Sequence, residues 1–329
     1  MKVAIVGVTG LVGRKILQVL VERNFPVDEL IPVASAKSVG KKIEYLGHQW
    51  EIISLDKALE RDIDIAIFSA GSSISKQYAK EFVKKKIYVV DNSSAWRMDP
   101  YVKLIIPEIN GHILIKQDYL ISNPNCSTIQ MLMVLAPLHY RFGIKRIVVS
   151  TYQSVTGAGY MAVEQMIHER SGFFDIKKLP YRIDMNVLPH CDIFLENAYT
   201  KEEMKLVNET HKILNDYDIQ ISATAVRVPV LGGHSESVNV ELKKDFDLEE
   251  IKNILVHTPG VKVIDDPKKN QYPMPLLAYD KDEVFVGRLR RDLFLSNALN
   301  MWIVADNIRK GAATNAVQIA QILVKNFKK

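Results

Sequence analysis

The sequence predicts an α/β chain of two domains, a doubly wound parallel sheet followed by an α+β domain with a mixed sheet. Three observations carry this. A short apolar strand runs into a glycine turn and an amphipathic helix at the start, strand and helix patterns alternate as far as residue 122, and from Lys145 the strands become longer. With 329 residues and 47% hydrophobic content there is material for two ordinary cores.

Composition excludes several classes. Charged residues make up 25% and the net charge is only +5, a balanced surface rather than the clustered basic face of a nucleic-acid binder. The Lys84–Lys86 run and the Lys328–Lys329 tail read as solvated helix ends. The start of the chain lacks the regions of a signal peptide, and no eighteen uncharged apolar residues occur in a row, so neither secretion nor membrane insertion is expected. Two cysteines, Cys126 and Cys191, are too few for a disulfide framework and fit a cytoplasmic enzyme. No metal signature such as H-E-x-x-H is present, and no metal is expected.

The first strand covers residues 3–6 and breaks at Gly7; Leu11, Ile16, Leu17 and Leu20 then mark a helix over Leu11–Val21. Between them Gly7-Val8-Thr9-Gly10-Leu11-Val12-Gly13 is a G-x-x-G-x-x-G variant of the dinucleotide fingerprint, in the strand, turn, helix context of a Rossmann domain. The second strand, Leu30–Ala34, ends where NAD-binding chains place an acid for the ribose. Here the chain reads Ser35-Ala36-Lys37-Ser38, a cation and hydroxyls suited to the 2′-phosphate of NADP, or an ordinary polar loop.

Further strands are expected at Ile63–Phe68, Tyr88–Asp91 and Tyr119–Ser122, with a helix over Ser75–Lys86. The loops after them, Ser69-Ala70-Gly71 and Asn92 to Arg97, should face a cofactor. Arg97, behind two serines, suits a phosphate or carboxylate as well as a surface ion pair. In Ser122-Asn123-Pro124-Asn125-Cys126-Ser127-Thr128, the proline and capping residues place a helix start at about Cys126, with Ile129, Leu132, Met133 and Ala136 turned inward. A thiol at a helix N-terminus has a lowered pKa and is a candidate nucleophile; the alternative is a buried small hydrophobe.

Strands at Lys145–Val155, Ile221–Val230, Ser237–Leu242 and Glu283–Arg290 make up the second domain. Gln153 lies near the end of the first, before the turn Thr156-Gly157-Ala158-Gly159. Thr200–Asn215 reads as a capped amphipathic helix on which Glu202 and Lys205 form an i, i+3 pair of the weak surface kind. Arg227 lies on a strand that ends in Leu231-Gly232-Gly233 with His234 at the tip, where the glycines should leave the imidazole mobile and accessible for proton transfer. A strand at Met301–Ala305 and a helix over Ala312–Asn326, packed back on the first domain, close the chain.

The ordered set of Gly7 to Gly13, Ser93 to Asp99, Asn123 to Thr128, Gln153 before Gly-Ala-Gly, Glu202 to Lys205, Arg227 seven residues before His234, and Ala305 to Ala313 resembles the aspartate-β-semialdehyde dehydrogenase family over nearly the whole chain. The resemblance implies a Rossmann-type NADP-binding domain over 1–126 and a catalytic and dimerisation domain over 127–310, like that of glyceraldehyde-3-phosphate dehydrogenase, with 311–329 returning to the first. It implies the reversible, NADPH-dependent conversion of L-4-aspartyl phosphate to L-aspartate 4-semialdehyde, on the route to lysine, threonine and methionine.

By the same resemblance Cys126 forms the thioester, His234 is the acid/base, and Asn125 helps hold the oxyanion. Arg227 takes the substrate carboxylate, Glu202 its ammonium, Gln153 orients it, and Arg97 and Lys205 hold phosphate. The cofactor would meet Gly7, Thr9, Gly10, Leu11, Val12, Gly13, Ser35, Lys37, Ser38, Ser69, Ala70, Gly71, Thr156, Gly157 and Asn315. The implied assembly is at least a homodimer, with a tetramer also open, and Cys191 matches no motif position. Lys37, Trp96 and Thr156 stand where relatives often have Arg, Phe and Ser, and lysine lacks arginine's bidentate grip. Competing readings are an N-acetyl-glutamyl-phosphate reductase and a non-catalytic NADP-binding regulator on the same fold.

Overall fold

The computed structural model describes residues 1–327, so Lys328 and Lys329, read above as a solvated tail, lie outside the described residues. The chain forms two compact units, one from Met1–Asn125 with the stretch from Ala312 onward, the other from Cys126–Gly311.

The first unit runs β1 (Lys2–Val6), α1 (Leu11–Glu22), β2 (Glu29–Val33), the hairpin β3 (Lys42–Tyr45) and β4 (His48–Glu51), α2 (Leu55–Leu59), β5 (Ile65–Phe68), α3 (Ser72–Lys84), β6 (Tyr88–Asp91), β7 (Lys103–Leu104), α4 (Pro107–Asn110) and β8 (Leu120–Ser122). Among the described residues the main sheet has the order β2-β1-β5-β6-β8-β7, with parallel pairing throughout. The order reverses at β1, so the loops leaving β1 and β5 flank the switch point where open parallel sheets take ligands. Val3 to Val6 and Ile65 to Phe68 are buried, because helices cover both faces. Ile16 and Leu20 of α1 join Ile5 and Ile67 in one apolar layer, and Phe82 of α3 meets Phe68 edge-on at 5.3 Å in the other.

The second unit opens with α5 (Cys126–Phe142), which starts at the residue the sequence predicts. The four inward positions expected from spacing are buried, but so are Gln130, Met131, Val134 and Leu135, as in a helix enclosed all round. There follow β9 (Ile144–Gln153), α6 (Tyr160–Arg170), α7 (Lys201–Leu214), β10 (Gln220–Arg227), β11 (His234–Leu242), α8 (Leu248–Val256), β12 (Val261–Val263), α9 (Pro275–Ala278), β13 (Val284–Arg291) and β14 (Ala298–Ala305).

The sheet order is β10-β9-β11-β14-β13-β12, with parallel pairs at its two ends and antiparallel pairs between, hence mixed as expected. On β11 the alternation buries His234, Glu236, Val238, Val240 and Leu242 and leaves Ser237, Asn239 and Glu241 half-buried. Helix α5 packs against this sheet.

The last helix, α10 (Thr314–Phe327), belongs to the first unit, where Ala316, Val317, Ala320 and Leu323 share the layer of Ile16 and Leu20. It begins two residues later than expected because Arg309–Ala313 forms a π-turn. No helix among the described residues is long and apolar enough to cross a membrane.

Candidate active site

Close approach explains the glycines after β1. Gly7 has φ +88°, and a Cβ there would lie 2.5 Å from the Ser69 carbonyl oxygen; one on Gly13 would lie 2.2 Å from the Gly7 oxygen. Gly10 caps α1, its N–H donating to Gly7 O at 3.1 Å, while no side chain caps this helix and no acid occupies its first turn. The positive end of a 12-residue helix, with Leu11, Val12 and Gly13 in its first turn, is thus available to an anion. Thr9 and Gly10 are exposed beside it. These residues fit a dinucleotide pyrophosphate.

Ser35 and Lys37 are exposed after β2 with Ser38 half-buried, and Ser69, Ala70 and Gly71 lead from β5 into α3. Arg97 is buried rather than a surface residue, and its Nη2 donates to Asn92 O at 2.8 Å. Its loop is organised by Asp91, which accepts from the Ser75 and Ser93 hydroxyls, both at 2.8 Å. Burial raises the pKa of that carboxyl. Asn315 is buried and donates to Ile105 O at 2.9 Å and Asn123 Oδ1 at 2.6 Å, so it braces α10 within the first unit.

Asn125, the last residue of the first stretch of the first unit, is buried. In the second unit, which opens with the half-buried Cys126, separated sequence motifs come together. Gln130, one helical turn beyond Cys126, donates from Nε2 to the His234 carbonyl at 3.3 Å. Gln153 Nε2 reaches Ser127 Oγ at 3.2 Å and Glu202 Oε1 at 3.1 Å. Gln153 is paired in register with Arg227, whose Nη1 donates to Ser154 O at 2.8 Å. The turn after β9 then folds over both the Arg227 and His234 side chains: a Cβ on Gly157 would lie 2.8 Å from Arg227 Nη1 and 3.1 Å from His234 Nε2. Thr156, next to it, shares a hydrogen bond with Asn307 at 3.1 Å.

His234 corrects the expectation of a mobile, accessible imidazole. It is fully buried and opens β11 rather than crowning a loose turn. The glycines before it serve packing: a Cβ on Gly232 would lie 2.1 Å from Tyr279 Cδ2, and Gly233, at φ +81°, sits against Pro275. The Ser154 N–H donates to Nδ1 at 3.1 Å, which leaves the hydrogen of the neutral ring on Nε2. Nε2 has no protein partner. Burial first, then the charge of Arg227, pushes the imidazole pKa down to about 3, against an opposing pull from Glu202.

Glu202 and Lys205 are neither a weak surface pair nor apart. Lys205 Nζ lies 2.8 Å from Glu202 Oε2 and 2.9 Å from Asp192 Oδ2, and Glu202 is buried. Burial by itself would lower the Lys205 pKa, but the two carboxylates outweigh it and the pKa is raised. The face of α7 that turns inward carries Glu202, Glu203, Leu206, Glu209, Thr210, Ile213 and Leu214, so hydrophobic spacing marks its apolar part but not the buried acids of its first turn. Cys191 is buried, and burial pushes its thiol up to about 12, which keeps it protonated at neutral pH.

Sequence reasoning missed Ser154, which acts through its backbone; Asp192, in a loop; and Gly311, where a Cβ would lie 2.7 Å from Cys126 Cβ. Only the Lys310-Gly311-Ala312 stretch carried a signal, as part of the family pattern.

Residues 2–117 match the family described as semialdehyde dehydrogenase, NAD binding domain, and residues 135–310 the one described as semialdehyde dehydrogenase, dimerisation domain. A parallel-sheet unit with a glycine turn, joined to a mixed-sheet unit, is the architecture of the two-domain semialdehyde dehydrogenases that bind pyridine nucleotides. The aspartate-semialdehyde dehydrogenase of Aquifex aeolicus is 52% identical over 98% of both chains, and that of Campylobacter jejuni 47% identical over 97% of this chain and 96% of its own. The crystal structure of aspartate semialdehyde dehydrogenase II from Vibrio cholerae, complexed with ASA, superposes with a TM-score of 0.94 at 41% identity, covering 99% of this chain and 98% of that one. The chain belongs to the aspartate-semialdehyde dehydrogenase family.

Proposed function

We propose that this protein catalyses the reversible reductive dephosphorylation of L-4-aspartyl phosphate to L-aspartate 4-semialdehyde with NADPH, in the cytoplasm and on the route to lysine, threonine and methionine. The observation that carries the reading is the chain Ser127–Gln153–Glu202–Lys205, buried as far as the half-buried lysine, with Arg227 and His234 beneath Gly157, in the unit that also holds Cys126. A fixed cation and a fixed anion in one buried place suit the carboxylate and ammonium of an amino acid.

Cys126 attacks the acyl carbonyl and expels phosphate, giving a thioester; the first-turn N–H groups of α5 favour negative charge on the sulfur, both as it attacks and as it leaves. Asn125 and those amides hold the oxyanion. His234 presents Nε2–H to the same oxygen and exchanges protons there, a contribution of roughly 10²–10⁴ in rate. Its cationic form is held back by the Ser154 N–H facing Nδ1 as well as by burial. Arg227 grips the α-carboxylate, Glu202 the ammonium, and Gln153 orients the chain of the substrate. Arg97 and Lys205 take the phosphate, each leaving its present partners.

NADPH would be held by Gly7, Thr9, Gly10, Leu11, Val12 and Gly13, with Ser35, Lys37 and Ser38 at the 2′-phosphate and Ser69 to Gly71, Thr156, Gly157 and Asn315 as further contacts; when bound it supplies the hydride. A homodimer forms through the half-buried sheet face that includes Ser150, Tyr152, Ser237, Asn239 and Trp302.

The test is steady-state NADPH formation from aspartate semialdehyde, phosphate and NADP, each omitted in turn, beside N-acetylglutamate semialdehyde. Dependence on all three with a strong preference for the aspartyl substrate is expected. Equal or reversed preference would defeat the assignment, since an N-acetylated substrate has no ammonium for Glu202.

A further inference from the structure

Glu236 is a titratable group that the proposed chemistry leaves unused. It lies two residues along β11 from His234, on the same face of the strand, and is fully buried. Its neighbours across the sheet are Thr151 on β9 and Ile303 on β14. No hydrogen bond reaches either carboxyl oxygen or Oε1 of Gln130, and the Gln130 amide, the adjacent group, pulls the Glu236 pKa down against the larger effect of burial.

An ionised glutamate would therefore leave a buried charge with no hydrogen bond made to it, beside an equally unpartnered Gln130 Oε1, at a large desolvation cost. One proton removes the conflict, because it turns a carboxyl oxygen into a donor and gives Gln130 Oε1 its partner. Burial also holds the Glu236 pKa well above the ordinary carboxylate range.

Gln130 stands at a junction. It lies one turn from Cys126 on α5, and its Nε2 donates to the carbonyl of His234. We propose that Glu236 is a positioning residue kept as the neutral acid, its O–H donating to Gln130 Oε1, and that this contact locks the first turns of α5 to the start of β11 and so sets the spacing of Cys126 and His234. The inference rests on reading those two residues as the reacting pair.

Three forms of the full-length enzyme test it: wild type, Glu236→Gln and Glu236→Leu. Infrared difference spectra between wild type and Glu236→Gln should contain the C=O stretch of a protonated carboxylic acid, shifted in D₂O. Glu236→Gln supplies an N–H in place of the O–H, so kcat for aspartate semialdehyde should stay within about threefold and the acid limb of its pH profile should not move. Glu236→Leu has no donor, and a loosened pair should cost roughly 10- to 100-fold in kcat with KM little changed.

Absence of the acid band, an acid limb displaced in Glu236→Gln, or equal kcat for Glu236→Leu and wild type would each overturn the proposal. The spectrum needs no turnover, so an enzyme inactive on aspartate semialdehyde but showing the band would defeat the functional reading while the protonated Glu236 stood.

Discussion

Gly311 offers a sharp test because its missing side chain is what leaves Cys126 in place. A Cβ at that position would lie 2.7 Å from Cys126 Cβ and 3.2 Å from its Cα. Carbon atoms rest at about 3.5–4.0 Å, so Gly311→Ala must separate the two backbones by roughly 1 Å. Overpacking of this kind costs about 1–3 kcal/mol of stability. Misplacing a reacting atom by that distance costs about 10²-fold in rate. The assay is NADPH formation at saturating aspartate semialdehyde, phosphate and NADP, with NADP affinity and circular dichroism as controls for folding. The expected result is kcat lower by about two orders of magnitude in a folded protein that binds NADP normally. A folded variant with kcat within about twofold of wild type would refute the reasoning that Gly311 sets the position of the sulfur.

Three other outcomes follow from the site. His234 has a folded-state pKa of about 3 against about 6.5 unfolded, so the stability it contributes is complete above the unfolded value and is lost as pH falls toward the folded one. Between pH 7 and 5 wild type should lose about 2 kcal/mol more than His234→Gln in urea titrations, and parallel losses would contradict the buried neutral imidazole. Lys205→Met leaves the Glu202 and Asp192 carboxylates without their ammonium. It should lower stability by about 3 kcal/mol, discounted for partial exposure, and raise KM for phosphate; an unchanged melting temperature would count against the buried pairing. Lys37→Glu should shift preference from NADPH toward NADH, and an unaltered ratio of kcat/KM for the two would place the 2′-phosphate elsewhere.

Much of this architecture was readable because backbone demands coincide with side-chain pattern. The strand into Gly7 and the spacing of α1 announce a nucleotide turn, and Pro124 with its polar neighbours sets the start of α5 at Cys126. The β3–β4 hairpin was missed because its turn lacks the usual Asn-Gly signal; Leu46 takes the left-handed conformation instead, at φ +51°.

At the site, residue types were legible and environment was not. Gly232 and Gly233 suggested freedom, whereas they admit Tyr279 and Pro275 against the backbone and leave His234 enclosed. An i, i+3 spacing marks Glu202 and Lys205 as neighbours but carries no information on burial, which here depends on Asp192 and Gln153 from distant segments. Glu236 gives no signal at all in the sequence, since the rise in its pKa follows from its burial, which the tertiary fold decides.

Covalent capture of the intermediate reaches the central claim most directly. Wild type mixed with aspartate semialdehyde and NADP but no phosphate should give a burst of NADPH of one equivalent per subunit, and peptide mass analysis should find one aspartyl group on Cys126. Cys126→Ser should bind NADP and show neither burst nor adduct. Turnover in that variant, or an acyl group attached elsewhere, would contradict the mechanism.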